Sequence, residues 1–215
     1  MKKKSFAVLG LGKFGSGVAR EMARIGADVL AVDLDEENVH MIAGEVTCAM
    51  KADVCDNETL QNLGLSNMDG VVVAITGSLD ASIMATIFAK EAGVPIVVAK
   101  ARDAVHAKIL EKVGADRTII PEKESGIRMA RCLISGNFID VIELSDHISI
   151  VEIQVKPEWA GKNLSELRLR EKAGVNVIAL RAEGELTAAV DPGMPLKAEY
   201  TMWVMVDKKN LEKLF

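Results

Sequence analysis

The chain has 215 residues, enough for one large domain or two modest ones. With 49% apolar and 27% charged residues it can bury a core, which excludes a disordered chain. Only 4% of residues are aromatic and the formal charge is −5, from 26 Lys and Arg against 31 Asp and Glu, which argues against nucleic-acid binding through a broad basic footprint.

Lys2, Lys3 and Lys4 before a short apolar run superficially resemble a signal peptide. The run is too short and ends in glycines, so residues 5–9 read as a first strand. Helical periodicity follows over 15–25, a strand over 28–32, a helix over 36–42, a weak strand over 47–50 and a short helix over 58–63. Residues 71–75 form a buried strand, 81–91 a helix, 96–99 a strand, 104–113 a helix, and 117–120 a closing strand. Gly26, Gly64, Gly93 and Gly114 stand where helices stop. Short strands alternating with helices specify βαβ units, and about six strands fit an α/β, doubly wound, Rossmann-like parallel sheet.

Pro121 breaks the pattern and 122–135 reads as a helix with Ile127, Ala130, Leu133 and Ile134 on one face, ended by Ser135, Gly136 and Asn137. Strands are then predicted over 141–144 and 148–155, and a helix over 165–172 capped by Ser165. A hairpin follows over 176–181 and 186–190, then a Pro/Gly loop over 191–195, a strand over 201–206 and a terminal helix over 208–214. The division is a nucleotide-binding domain over 1–120, a linker helix over 121–138 and a small α+β domain over 139–215. No apolar run approaches the roughly 18 residues of a membrane helix. Cys48, Cys55 and Cys132 lack CxxC spacing, which argues against a disulfide framework or a zinc site, so they read as buried, reduced thiols. The whole reads as a soluble intracellular protein.

Gly10-Leu-Gly12-Lys-Phe-Gly15 is a G-x-G-x-x-G between a predicted strand and a predicted helix, and Asp33 ends the second strand. Gly10 permits the tight turn, Gly12 lets a phosphate approach the backbone, and Gly15 lets the helix pack on the strand. The helix N-terminus offers unpaired N–H groups to phosphate. Asp33 can accept both hydroxyls of an adenosine ribose. A 2′-phosphate would face Asp33, Asp35, Glu36 and Glu37, which disfavours NADP. Lys13 lies at the mouth of the helix, either against a terminal phosphate or simply solvated. Asp53 follows the third strand, either for an adenine amino group or as a turn residue. Ala74 and Thr76 end the fourth strand and Lys100 the fifth, all on the edge where ligands bind. Glu122, on its own spacing, reads as a helix-dipole partner.

His40, His106 and His147 are the only histidines, and each reads as a surface residue. There is no G-x-S-x-G, no H-E-x-x-H and no Walker loop. The reading is a nucleotide sensor and not an enzyme. The alternatives are a small NAD-dependent oxidoreductase and an oligomerisation module with an empty crevice.

Gly10–Gly15, Leu30-Ala-Val-Asp-Leu-Asp35, Ala52-Asp53, Val73-Ala-Ile75, Val98-Ala-Lys-Ala101, Leu110-Glu-Lys-Val-Gly-Ala-Asp116 and Ile120-Pro-Glu-Lys123 together resemble the cytosolic regulatory (RCK-domain, TrkA/KtrA-like) subunits of bacterial Trk/Ktr potassium uptake systems. The resemblance covers essentially the whole chain. It implies a homo-oligomer, dimers assembling into an octameric ring, beneath an integral-membrane potassium-translocating subunit, hence a cytoplasmic protein peripheral to the membrane. It implies ATP/ADP exchange in the crevice that shifts ring conformation, with NAD(H) the alternative. Lys13 and Phe14 resemble the ATP/ADP branch, in which Arg is the commoner basic residue. By the same resemblance Glu122 helps hold a divalent cation, Mg or Ca, near the phosphates. The helix after Pro121 pairs two subunits through Ile127, Ala130 and Leu133. The small domain resembles one that binds cyclic di-AMP, with Leu164, Arg170 and Asn176 in the corresponding stretch.

Overall fold

A computed structural model describes residues 3–135, 138–145, 147–207 and 209–210. It divides into two compact units, Met1–Pro121 and Glu122–Phe215.

In the first unit, β1 (Ser5–Leu9), β2 (Asp28–Asp33), β3 (Cys48–Lys51), β4 (Gly70–Val73), β5 (Val97–Lys100) and β6 (Arg117–Ile119) form one sheet in the order β3-β2-β1-β4-β5-β6. Every neighbouring pair is parallel. The central strands are apolar on both faces because helices cover both. On β1, Val8 joins a cluster with Ala19 and Ile42, brought by α1 (Lys13–Arg24) and α2 (Glu36–Ile42). Ala7 and Leu9, one residue to either side, point to the other face. They join Leu60 of α3 (Asn57–Asn62), Ala81 and Ala85 of α4 (Leu79–Glu91) and Leu110 of α5 (Ala104–Lys112). Gly26, Gly64, Gly93 and Gly114 all have positive φ. The chain runs outward from β1 to β3 and then returns to β4 on the other side of β1. That reversal opens a crevice beyond the carboxyl ends of β1 and β4.

The second unit carries α6 (Pro121–Ser135), which starts at the boundary, and a five-stranded antiparallel sheet. Its strands are β7 (Phe138–Glu143), β8 (Ile148–Gln154), β9 (Asn176–Ala182), β10 (Glu185–Thr187) and β11 (Thr201–Asp207), in the order β10-β9-β11-β8-β7. Met202, Val204 and Val206 of the central β11 face the core with Val151, Ile153 and Leu180, the alternation expected of a one-sided sheet.

Five expectations need correction. The helix expected over 165–172 is two, α7 (Leu164–Leu167) and α8 (Leu169–Ala173), separated by Arg168 at φ 49°. Its cap is Asn163, whose side chain accepts from the Glu166 N–H while Glu166 accepts from the Asn163 N–H; this reciprocal pair outcompetes Ser165. The second hairpin strand ends at Thr187, not Val190, because the Thr187 hydroxyl accepts from the Ala189 N–H and turns the chain. Cys48 and Cys55 are exposed, not buried: β3 is the edge strand and Cys55 lies in the turn after it. His106 is buried, with 1% exposure, between α5 and α4. The Cys132 and Ile134 side chains, Gly136, Asn137 and most of the expected helix over 208–214 lie outside the described residues.

Candidate functional site

A cavity of about 350 Å³ opens at the reversal of strand order, walled by the ends of β1, β2, β3 and β4. Gly10, Gly12, Asp33, Asp53, Ala74 and Thr76, widely separated in sequence, are brought together around it.

The glycine turn has a separate reason at each position. Gly10 has φ 97°, and a Cβ there would meet Ile75 at 2.9 Å and the Ala74 backbone at 3.1 Å. A Cβ on Gly15 would fall 1.8 Å from the Gly10 carbonyl oxygen, so Gly15 is what lets α1 sit against the turn. At Gly12 a Cβ would meet nothing within 4 Å, so the space in front of this N-cap is open. α1 has no side-chain cap and no acid in its first turn, whereas side chains of Asp35, Asp56, Ser78 and Asp103 cap α2, α3, α4 and α5. Unpaired N–H groups and a helix dipole with no protein acceptor fit an anionic ligand.

Asp33 is fixed by the loops on either side of it. One carboxylate oxygen accepts from the Leu11 N–H in the glycine turn, and the other accepts from the Asp35 N–H at 2.8 Å. Each oxygen keeps a lone pair, so the carboxylate can still take two hydroxyl donors. Asp53 also holds a turn, accepting from the Cys55 N–H at 2.8 Å. Its turn role and its place in the cavity wall are therefore both present. These two carboxylates are the ionisable side chains among the described lining residues.

Lys13, Phe14 and Lys100 lie outside the cavity lining. Lys13 and Phe14 border a shallow groove on the outward side of α1 with Gly17, Val18, Met22 and Ile25. The Lys100 ammonium sits 5.7 Å from the centre of the Phe14 ring, a cation–π contact linking β5 to α1. Glu122 stands in the first turn of α6, in the second unit. Among the described residues no three His, Cys, Asp or Glu side chains are grouped for a metal. Leu34, Asn38 and Ser78 also line the cavity and were missed by sequence reasoning. For Leu34 a signal existed: it is one apolar residue in the acidic run from Asp33 to Glu37, and it is 62% exposed at the rim. Asn38 follows the Asp35 cap by one turn of α2, and nothing in its local sequence marks it.

Residues 6–121 match the TrkA-N domain family and residues 148–215 the TrkA-C domain family. The chain is 36% identical over 213 residues to the Ktr system potassium uptake protein A of Bacillus subtilis, covering 99% of this chain and 96% of that one. It is 40% identical over 194 residues to the Ktr system potassium uptake protein A of Vibrio alginolyticus, covering 90% and 88%. A crystal structure of the GsuK RCK domain superposes with a TM-score of 0.68 at 16% identity over 99% of this chain; the chain spans 47% of that structure's length, and the likeness is one of fold. Both halves of the sequence, the fold and the glycine turn thus lead to one place: the chain belongs to the TrkA/Ktr family of potassium uptake proteins, built from a TrkA-N and a TrkA-C domain.

Proposed function

We propose that this chain is a nucleotide-binding regulatory subunit that gates a membrane potassium transporter, and that it works by binding and not by catalysis. The observation that carries the reading is the α1 N-terminus, which has no capping side chain, beside Asp33. The residues fit an adenosine nucleotide. Phosphates would lie at the N–H groups behind Gly12, and the ribose hydroxyls would donate to Asp33. The base would enter between Leu34 and Val54, its amino group within the reach of Asp53. Asp35, Glu36 and Glu37 crowd the ribose side with negative charge and disfavour a 2′-phosphate.

A bound nucleotide acts by population shift: it moves an assembly between conformations only by its difference in affinity for them. A difference of about 1.4 kcal/mol per site biases each site tenfold. ATP/ADP is the first reading, from the resemblance of Lys13 and Phe14 to the ATP/ADP branch of the family, although neither lines the cavity. NAD(H) is the second, because a structural neighbour with a TM-score of 0.55 and 18% identity is a GsuK channel bound to NAD. Calorimetric titration with ATP, ADP and NADH separates the two. Failure of all three to bind at millimolar concentration would sink the reading.

The relatives named above are potassium uptake proteins, and this supports a membrane potassium-translocating subunit as partner. No helix of the described residues is long and apolar enough to cross a membrane, so attachment would run through that partner. Ile127 and Leu133 on α6 are 42% and 74% exposed, which supports pairing of two subunits through the linker helix. Native mass spectrometry tests pairing, the octameric ring and any retained nucleotide together. Glu122 would complete a Mg or Ca site only with oxygens from the nucleotide or a second chain. Cyclic di-AMP at Leu164, Arg170 and Asn176 is tested by titration of the full chain with that dinucleotide.

A further inference from the structure

His106 is a buried histidine that the binding site does not use directly, yet its bonds run to the start of α4, which borders the cavity, and to the loop after β5. Its Nε2 lies 3.0 Å from the Ser82 hydroxyl on α4. Its Nδ1 accepts from the Arg102 backbone N–H at 3.3 Å, in the loop after β5. Ser82 is buried and follows Ala81, which lines the cavity. Arg102 lies two residues past Lys100, whose ammonium reaches the Phe14 ring beside the glycine turn. The ring therefore ties the start of α4, where Ala81 lines the cavity, to the β5–α5 loop.

The chemistry of this tie depends on protonation. Because Nδ1 accepts from a backbone N–H, it carries no proton, and the neutral ring has its proton on Nε2, facing the Ser82 oxygen. Protonation would set an Nδ1 proton against the Arg102 N–H and break that bond. It would also place a cation in the first turn of α5, at the positive end of the helix. The charged groups around the ring do not favour that cation. Arg102 opposes it and Asp103 favours it, but the two pair with each other at 3.3 Å, and Asp103 also accepts from the His106 N–H. α4 presents the Ser82 hydroxyl; its own charges, Asp80, Lys90 and Glu91, stand at its two ends. Burial is the largest cause holding the His106 pKa below its usual value, followed by Arg102.

We propose that His106 is a positioning residue whose neutral, Nε2-protonated ring holds the start of α4, at the cavity wall, in its binding geometry, so that acidification releases the tie to the β5–α5 loop and weakens nucleotide binding. The proposal rests on the nucleotide reading of the cavity.

The test uses the whole 215-residue chain and NAD⁺ and ATP as probes, titrated from pH 7.5 to pH 5. NAD⁺ is included because its own phosphates do not titrate in that range. Wild-type affinity should be flat near neutrality and then fall by up to about tenfold per pH unit below the histidine's lowered pKa, the most that one linked proton allows. His106→Asn, which keeps an acceptor near the Nδ1 position, should bind with no such slope. Binding with an equal slope in both proteins overturns this proposal and leaves the nucleotide reading intact. No binding of either probe by the wild type at pH 7.5 overturns both. A second measurement needs no variant to fold: ring ¹⁵N shifts of histidine-labelled wild type should show one neutral histidine with the proton on Nε2 at pH 7.5. A proton on Nδ1, or a ring already charged at that pH, would end the argument.

Discussion

Two helices begin at the edge of the same cavity, and their first turns are built differently. α4 starts behind Ser78, whose hydroxyl accepts from the Ala81 N–H at 3.2 Å, and carries Asp80 in its first turn. α1 starts behind Gly12 with neither a cap nor an acid. The sequence of α4 completes its own hydrogen bonding, while that of α1 leaves donors to be filled from outside. The contrast separates a structural N-terminus from a binding one, since each helix would gain stability from a cap and only one has it.

The harshest way to break the contrast is Gly15→Ala. The added methyl would fall 1.8 Å from the Gly10 carbonyl oxygen, so α1 must move away from the turn. A loss of ~3 kcal/mol or more in urea unfolding is expected, with no measurable nucleotide binding. Wild-type stability in this variant would show that the turn tolerates a displaced helix. Gly12→Asp is more selective, because a Cβ there meets nothing within 4 Å and the N-cap backbone is already extended. The new carboxylate would cap α1 as Ser78 caps α4, raising stability by a few tenths of a kcal/mol. It would also occupy the place of the phosphates, and affinity should fall at least tenfold. Parallel thermal melts and nucleotide titrations read the two effects, which must move in opposite directions.

The same contrast shows what could be read from sequence. The parallel sheet was legible because each βαβ unit is local: the strand, the glycine stop and the next strand follow one another, as at Gly93 before β5 and Gly114 before β6. The crevice could be located from the glycine turn and from the residues that end the strands. In the second unit, β11 is last in the chain yet sits at the centre of its sheet, between β9 and β8. Non-local pairing of that kind leaves no periodic trace. His106 was misplaced for a related reason. Within α5 it looks like one polar residue on a surface helix, and only the packing of α4 supplies the Ser82 partner that makes its burial tolerable. At the site, residues acting through the backbone were visible as glycines, whereas Asn38 depends on how α2 is aimed.

Asp33→Asn sharpens the comparison at intermediate strength. The carboxylate accepts backbone N–H groups from Leu11 and Asp35; an amide oxygen can replace one acceptor, and the amide nitrogen faces a donor on the other side. One orphaned N–H costs about 1–3 kcal/mol. Adenine nucleotide affinity should drop several-fold as well, because a ribose hydroxyl loses its acceptor. Unchanged calorimetric affinity would place the ribose elsewhere.

Ser78→Ala should have the smallest effect. Removing the cap of α4 strands the Ala81 N–H and should cost about 1 kcal/mol in chemical denaturation. Nucleotide affinity should change by less than twofold, because the phosphates are assigned to α1 and Ser78 is an exposed residue of the cavity wall. If instead affinity rises markedly when α4 loses its cap, the freed N–H groups of α4 are taking phosphate. The two N-termini would then share the ligand, and the distinction between a capped structural helix and an open binding helix would have to be drawn from Asp80 and not from Ser78.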